Sequence, residues 1–379
     1  MNEKQERNYG IDLLKIISMY MVVLLHVLGC GGILENCEKV SCNYYVAYSL
    51  EISAFGAVDI FAMITGYLMV EKKVNGFKII PLWLTVFFYS TLIALSFYFV
   101  PFLSSIHEPS KISIIKSFFP VISGQYWYFT AYFGMFFFIP YINMFVNSIE
   151  KRTHRNLCIV IIIVFSLLPI MNLGDIKSFG LLHGCSATWL TCCYVIGAYL
   201  KKYPLNITPI KSLMIYFASI FLIWFIKYFS RFMFVVFFQK DKDTNLFIDY
   251  TSILVIVSAI ALVSFFEKLN IKNMLCKKML TFASALSFSV YLIHTNHIIY
   301  GYIIKDHFIS MVSTNPFRLF VGVILNSLLI FIACLSIDIV RCALFKLLRV
   351  RRYPNFFALK CMLFNDKINQ KIRGKNDNQ

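Results

Sequence analysis

Charge is what this sequence has least of. Only 15% of its residues are charged, where a soluble globular domain carries about 25%, and 59% are hydrophobic. An aqueous globular fold is excluded on that balance. Acid is scarcer still, with 19 Asp and Glu against 36 Lys and Arg. In a soluble chain the excess of base would suggest nucleic acid, but basic residues have another task at membrane borders, so no nucleic-acid partner is expected. Eleven cysteines form no C-x-x-C pair and no His-containing ligand spacing, which argues against a zinc site or a disulfide framework. There is no glycine-rich phosphate loop, internal repeat or linker. The first apolar run lacks the uncharged core and small-x-small site of a cleavable signal, because Asp12, Lys15 and His26 lie inside it.

What is present is a series of apolar runs. Stretches of about 20 residues, enough to cross a hydrocarbon core of about 30 Å, occur near 11–29, 49–70, 79–101, 126–147, 157–173, 185–200, 211–236, 248–266, 281–304 and 317–340. The expectation is an all-α integral membrane protein with about ten transmembrane helices in one bundle. Of the two alternating loop sets, the one containing 1–10, 71–78, 148–156, 201–211, 267–280 and 341–379 holds 25 Lys and Arg, the other 8. The basic set is therefore expected to be cytoplasmic, with both termini on that side. Residues 1–342 form the expected membrane domain and 343–379 a basic cytoplasmic tail beside anionic membrane lipid.

An ionisable side chain inside a span costs about 2.5–3.5 kcal/mol on insertion scales, so each one requires a partner, a wet cavity or a task. Lys15 and His26 are eleven residues apart, which returns to nearly the same helical face about 16 Å further along. Asp12, one turn from Lys15, is placed to pair with it. A lysine snorkelling to the headgroups and a histidine bonded to a neighbouring helix is the structural account of the same pattern. Asp59 lies mid-span, where a structural ion pair or cap and a catalytic role are equally open. Ser287, Tyr291 and His294 recur at helical spacing and share a face, either a hydrogen-bonded seam or part of a site. Lys227 and Arg231 are one turn apart with no acid in their span, which suggests an anionic acceptor group or interfacial anchoring.

Four segments carry a resemblance. Tyr9-Gly-Ile-Asp12-Leu-Leu-Lys15, followed by His26, resembles the opening of the membrane-bound acyltransferase 3 family. The Gly56-Ala-Val-Asp59 run ending Thr65-Gly66-Tyr67 resembles that family's second-helix signature, Thr65 standing where Ser is usual. Tyr126-Trp127-Tyr128-Phe129 resembles the start of its fourth helix, and Ser287 through Tyr291 to His294 its late Ser, Tyr, His segment. One departure stands out: where the family often has Arg-x-x-Arg after the second helix, this chain has only Lys78 before Pro81, with Lys72 and Lys73 upstream.

The resemblance implies a multi-pass enzyme of a bacterial-type cell membrane, moving an acyl group, usually acetyl, from cytoplasmic acyl-CoA to a hydroxyl of a cell-surface or lipid-linked polysaccharide. It implies no tightly bound cofactor and no metal. His26 would be the base, with Asp12 and Asp59 in the catalytic set. Lys15, Lys72, Lys73 and Lys78 would hold the donor. Thr65, Trp127, Tyr128, Ser287, Tyr291 and His294 would form the acceptor side or polar face of the bundle, to which the charge pattern adds Lys227 and Arg231. A lipid-linked sugar transporter would also have many spans with buried charges, and a non-catalytic acyltransferase-like module would keep the fold without the chemistry. Paired half-repeats would favour the first, and loss of Lys15 or His26 the second.

Overall fold

The computed structural model describes residues 7–171, 178–241, 245 and 247–350, and every regular element among them is helical. In lipid a backbone must satisfy its own polar groups, and the helix does so within one segment. The main helices are α1 Tyr9–Leu28, α2 Cys42–Ala54, α3 Ala57–Met69, α4 Ile80–Phe99, α5 Trp127–Phe136, α6 Ile139–Ser148, α7 Lys151–Ile162, α8 Ala187–Lys202, α9 Pro209–Phe238, α10 Ile253–Glu267, α11 Met274–His294 and α12 Pro316–Leu347. Polar residues start several of them. Asn8 caps α1 by accepting from the Ile11 N–H, Ser186 does the same for α8, and Thr208-Pro209 and Asn315-Pro316 open α9 and α12, since Pro at the first position forfeits no helical bond.

As far as the described residues reach, each expected span coincides with a helix or an interrupted helix. Among the described residues five segments, Tyr9–Asn36, Cys42–Met69, Gly76–Phe99, Pro209–Phe238 and Pro316–Leu347, are long and apolar enough to cross a membrane, and α5 with α6 makes a sixth if that pair, bent by 59°, is one crossing. The other expected spans are shorter or more polar. α8 has 16 residues and α10 has 15. The run 157–173 widens into a π turn at Ile163–Leu167, just before Pro169, which cannot donate to the preceding turn. The run 281–304 is not one helix. It stops at His294, and the Asn296 side chain, accepting from the Ile298 N–H, opens a new short turn. α12 runs past residue 342, and most of the expected tail, 351–379, lies outside the described residues.

α1 is the axial helix, packed against α11, α12, α3, α2 and α10. The most extensive contact in the bundle joins α3 to α8, and two glycines make it possible. A Cβ on Gly66 would lie 2.0 Å from the Tyr194 carbonyl oxygen, and one on Gly197 would lie 2.0 Å from that of Met63. The backbones touch, as small residues allow in membrane bundles.

Loops of one alternating set meet at one end. Asn8 donates to the Glu267 carbonyl (2.7 Å), Asn147 to that of Val70 (2.9 Å), Lys202 to that of Val146 (2.6 Å) and Lys268 to those of Leu205 and Ile207. At the other end the Asp306 and Phe308 amides donate to Cys30 and Gly31, and the Asn43 side chain to Val312 and Thr314.

Candidate functional site

α1 and α11 lie side by side and run parallel, because Lys15 meets Ser284 at one level and His26 meets His294 eleven and ten residues further on. The Lys15 ammonium donates to the Ser284 carbonyl at 2.9 Å, while the Ser284 hydroxyl donates to Asp12 at 2.9 Å. Asp12 is thus joined to Lys15 through Ser284. Its ion partner is Arg7, whose Nε and Nη2 both donate to the Asp12 carboxylate.

Further along, His26 Nδ1 lies 2.9 Å from His294 Nε2, and His294 Nδ1 lies 2.5 Å from the Val290 carbonyl oxygen. A carbonyl only accepts, so His294 Nδ1 carries the proton. Neutral His294 then presents a lone pair at Nε2, and His26 donates from Nδ1. That leaves the lone pair of His26 on Nε2, the arrangement a general base needs. His294 itself is buried.

His26 opens into a cavity of about 50 Å³ lined with Trp127, Tyr128, Tyr250, Phe288 and Tyr291. The Tyr128 N–H donates to the Tyr291 hydroxyl at 3.2 Å, which ties the start of α5 to α11. Tyr300 meets the His26 ring edge-on with centroids 5.2 Å apart. A cavity needs about 10–15 Å³ to hold one water, so this space admits a small group.

Nearer the basic end is a cavity of about 830 Å³, lined by Lys15, Lys78, Tyr132, Phe136, Phe288, Arg341, Lys346 and Arg349 among others. Five of its lining residues are basic and none is acidic. Phe288 lines both cavities, and so separates the basic one from the histidine pair.

Of the candidates from the sequence, the structure therefore brings together His26, His294, Tyr291, Trp127 and Tyr128, and places Lys15 and Lys78 at the larger cavity. It does not bring the others there. Lys72 and Lys73 are exposed and outside its lining, although Lys78 donates to the Lys73 carbonyl. Asp12 is about 21 Å along α1 from His26. Asp59 is fully buried between α3 and α8, accepting from the Trp189 indole at 2.9 Å, with the Cys193 thiol at 3.6 Å. The Thr65 hydroxyl donates to the Phe61 carbonyl within its own helix, and the Ser287 hydroxyl to that of Ser284.

Lys227 and Arg231 are buried. The acid missing from their span comes from beyond it: Arg231 makes a two-pronged pair with Asp241 at 2.7 and 2.9 Å, and that hydrogen bonding holds the exposed Asp241 carboxyl below its ordinary range. Lys227 donates to the Asn245 side chain at 2.7 Å and lies 3.9 Å from the centre of the Tyr48 ring.

Sequence reasoning missed Tyr250, Phe288, Arg341, Lys346 and Arg349. For Arg341 a signal existed, since Asp338 precedes it by three residues on a helix. For the aromatic pair none did in so aromatic a chain.

No curated protein and no solved structure matches the chain. The profile of the acyltransferase 3 family, described as an acyltransferase domain, matches residues 8–336, which contain His26, His294 and Lys15. With most of its length matched, the chain belongs to the acyltransferase 3 family of membrane proteins.

Proposed function

We propose that this membrane acyltransferase moves an acyl group, acetyl in the simplest case, from acyl-CoA at the basic, cytoplasmic end to a hydroxyl of a cell-surface or lipid-linked polysaccharide at the opposite face of a bacterial-type cell membrane. The observation that carries the reading is the His26–His294–Val290 chain, which leaves His26 Nε2 unprotonated, with His26 lining a cavity of about 50 Å³. His26 takes the acceptor hydroxyl proton as the oxygen attacks the thioester carbonyl. The C–S bond then breaks, and the proton passes to the departing thiolate. During the step His26 is cationic, and the His294 lone pair accepting from Nδ1 stabilises it. Lys15 and Lys78 draw the anionic end of the donor to the larger cavity, and an extended thioester arm covers the distance of about 16 Å from Lys15 to His26. CoA is a co-substrate here, not a resident cofactor. The small cavity supports a short acyl group.

The test is transfer of labelled acetyl from acetyl-CoA to a polyprenyl-linked oligosaccharide by the purified protein in lipid vesicles. Wild type should transfer, and His26→Ala should lose about 10²–10⁴-fold in rate while still binding CoA. A folded His26→Ala protein with wild-type turnover would remove the base assignment.

A further inference from the structure

Loop 71–78 departs from the family pattern, with only Lys78 close before Pro81 and Lys72 and Lys73 upstream, and basic residues gather again at the end of α12. We propose that the end of α12, through Arg341, Lys346 and Arg349, forms the phosphate clamp of the larger cavity, and that Asp338 with Tyr89 positions Arg341 within it. The inference rests on the acyl-CoA reading above and names the part of the donor selected: the nucleotide end, with its diphosphate and its separate phosphate monoester.

Three of the five basic residues lining that cavity belong to this one segment. α12 has 32 residues and is about 48 Å long, more than the hydrocarbon core of about 30 Å requires, so it is long enough to carry polar residues at its ends. At the end of the helix Arg349 takes a left-handed φ of 53°, and the next residue, Val350, is buried and lines the same cavity. The chain therefore turns back toward the cavity with Arg349 at its rim.

Helix-end complementarity and snorkelling account for a lysine in a last turn, but not for Asp338. Its side chain is fully buried, accepting from Arg341 Nε (2.7 Å) and Nη2 (2.8 Å) and from the Tyr89 hydroxyl (2.6 Å). A buried carboxylate is costly unless such a set of donors surrounds it. What the network achieves is a fixed guanidinium plane at the cavity wall. The pair is neutral as a unit, so Arg341 supplies directed hydrogen bonding, and the net field comes from Lys15, Lys78, Lys346 and Arg349.

The test compares CoA, dephospho-CoA and pantetheine as ligands of the full-length protein in lipid nanodiscs by titration calorimetry, together with donor kinetics. Wild type should bind them in that order of decreasing affinity. Lys346→Gln combined with Arg349→Gln changes two exposed side chains, so folding should persist. It should weaken CoA by about ten- to a hundredfold, flatten the salt dependence and leave pantetheine unchanged. Asp338→Asn should raise the donor KM and leave kcat at saturating donor and the acceptor KM unaltered, a split that a general loss of packing would not produce. If wild type binds CoA and the double variant binds it equally well with the same salt dependence, the clamp is wrong while the donor reading survives. If wild type binds no CoA, both fall. A drop in kcat at constant donor KM in Asp338→Asn would end the positioning role.

Discussion

His294 holds His26 in one tautomer, through a 2.9 Å contact on one ring nitrogen and a 2.5 Å bond to its own helix on the other. Remove His294 and nothing specifies which nitrogen of His26 is bare. His294→Ala should therefore lower kcat by about 10–10²-fold, the worth of a hydrogen bond to a charged group, with the donor KM held. Steady-state kinetics on both substrates checks this, and a change confined to KM would reassign His294 to binding.

Phe288 separates the basic cavity from the histidine pair, so its size should gate the reaction. Phe288→Trp is expected to reduce transfer while CoA binding in the larger cavity is kept, and Phe288→Leu to admit longer acyl donors. Competing acetyl- and butyryl-CoA in one assay reads the effect directly. An unchanged ratio in both variants would deny Phe288 any part in selection.

Gly66 and Gly197 leave no room for a methyl group, because the nearest atoms are backbone and cannot swing aside. Gly66→Ala should push α3 off α8 and cost about 1–3 kcal/mol in overpacking. A fall in the thermal midpoint of the purified protein is the expected result. Asp59, which bonds Trp189 across the same interface, should lose its partner at the same time, visible as a shift in tryptophan emission.

Asp241 titrates below its ordinary range because Arg231 bonds its charged form. A carboxylate depressed in this way adds stability above its unfolded pKa, and that contribution is lost as pH falls through the lower folded value. Asp241→Asn should therefore be less stable than wild type at neutral pH, and the difference should vanish in strong acid. Melting curves across an acid pH series test the sign, and a gap that widened on acidification would contradict it.

Part of this was legible in the sequence. The residues of the histidine pair and Lys15 could be read because polar groups are conspicuous in apolar helices, and spacing puts them on shared faces. Their partners were harder. Arg231 found its acid ten residues on, outside the span, where no helical rule reaches. Asp12 was expected on Lys15, but Arg7 outside the helix competes better and Ser284 of α11 takes the space between. The break at His294 was hidden by Ile298, Ile299 and Tyr300, which continue the apolar run, and only Thr295-Asn296 hinted at a turn. Arg341, Lys346 and Arg349 escaped notice because a basic cluster at a membrane border reads first as a topological signal.

The parallel course of α1 and α11 makes the histidine pair a record of how the chain was threaded. The two residues are 268 positions apart, so no local hairpin can create their contact. They can lie at the same depth only when the crossings between them leave α11 running the same way as α1. One inverted helix would turn α11 end for end and carry His294 to the opposite leaflet. A chain with a single misinserted crossing would therefore lose the contact between His26 and His294.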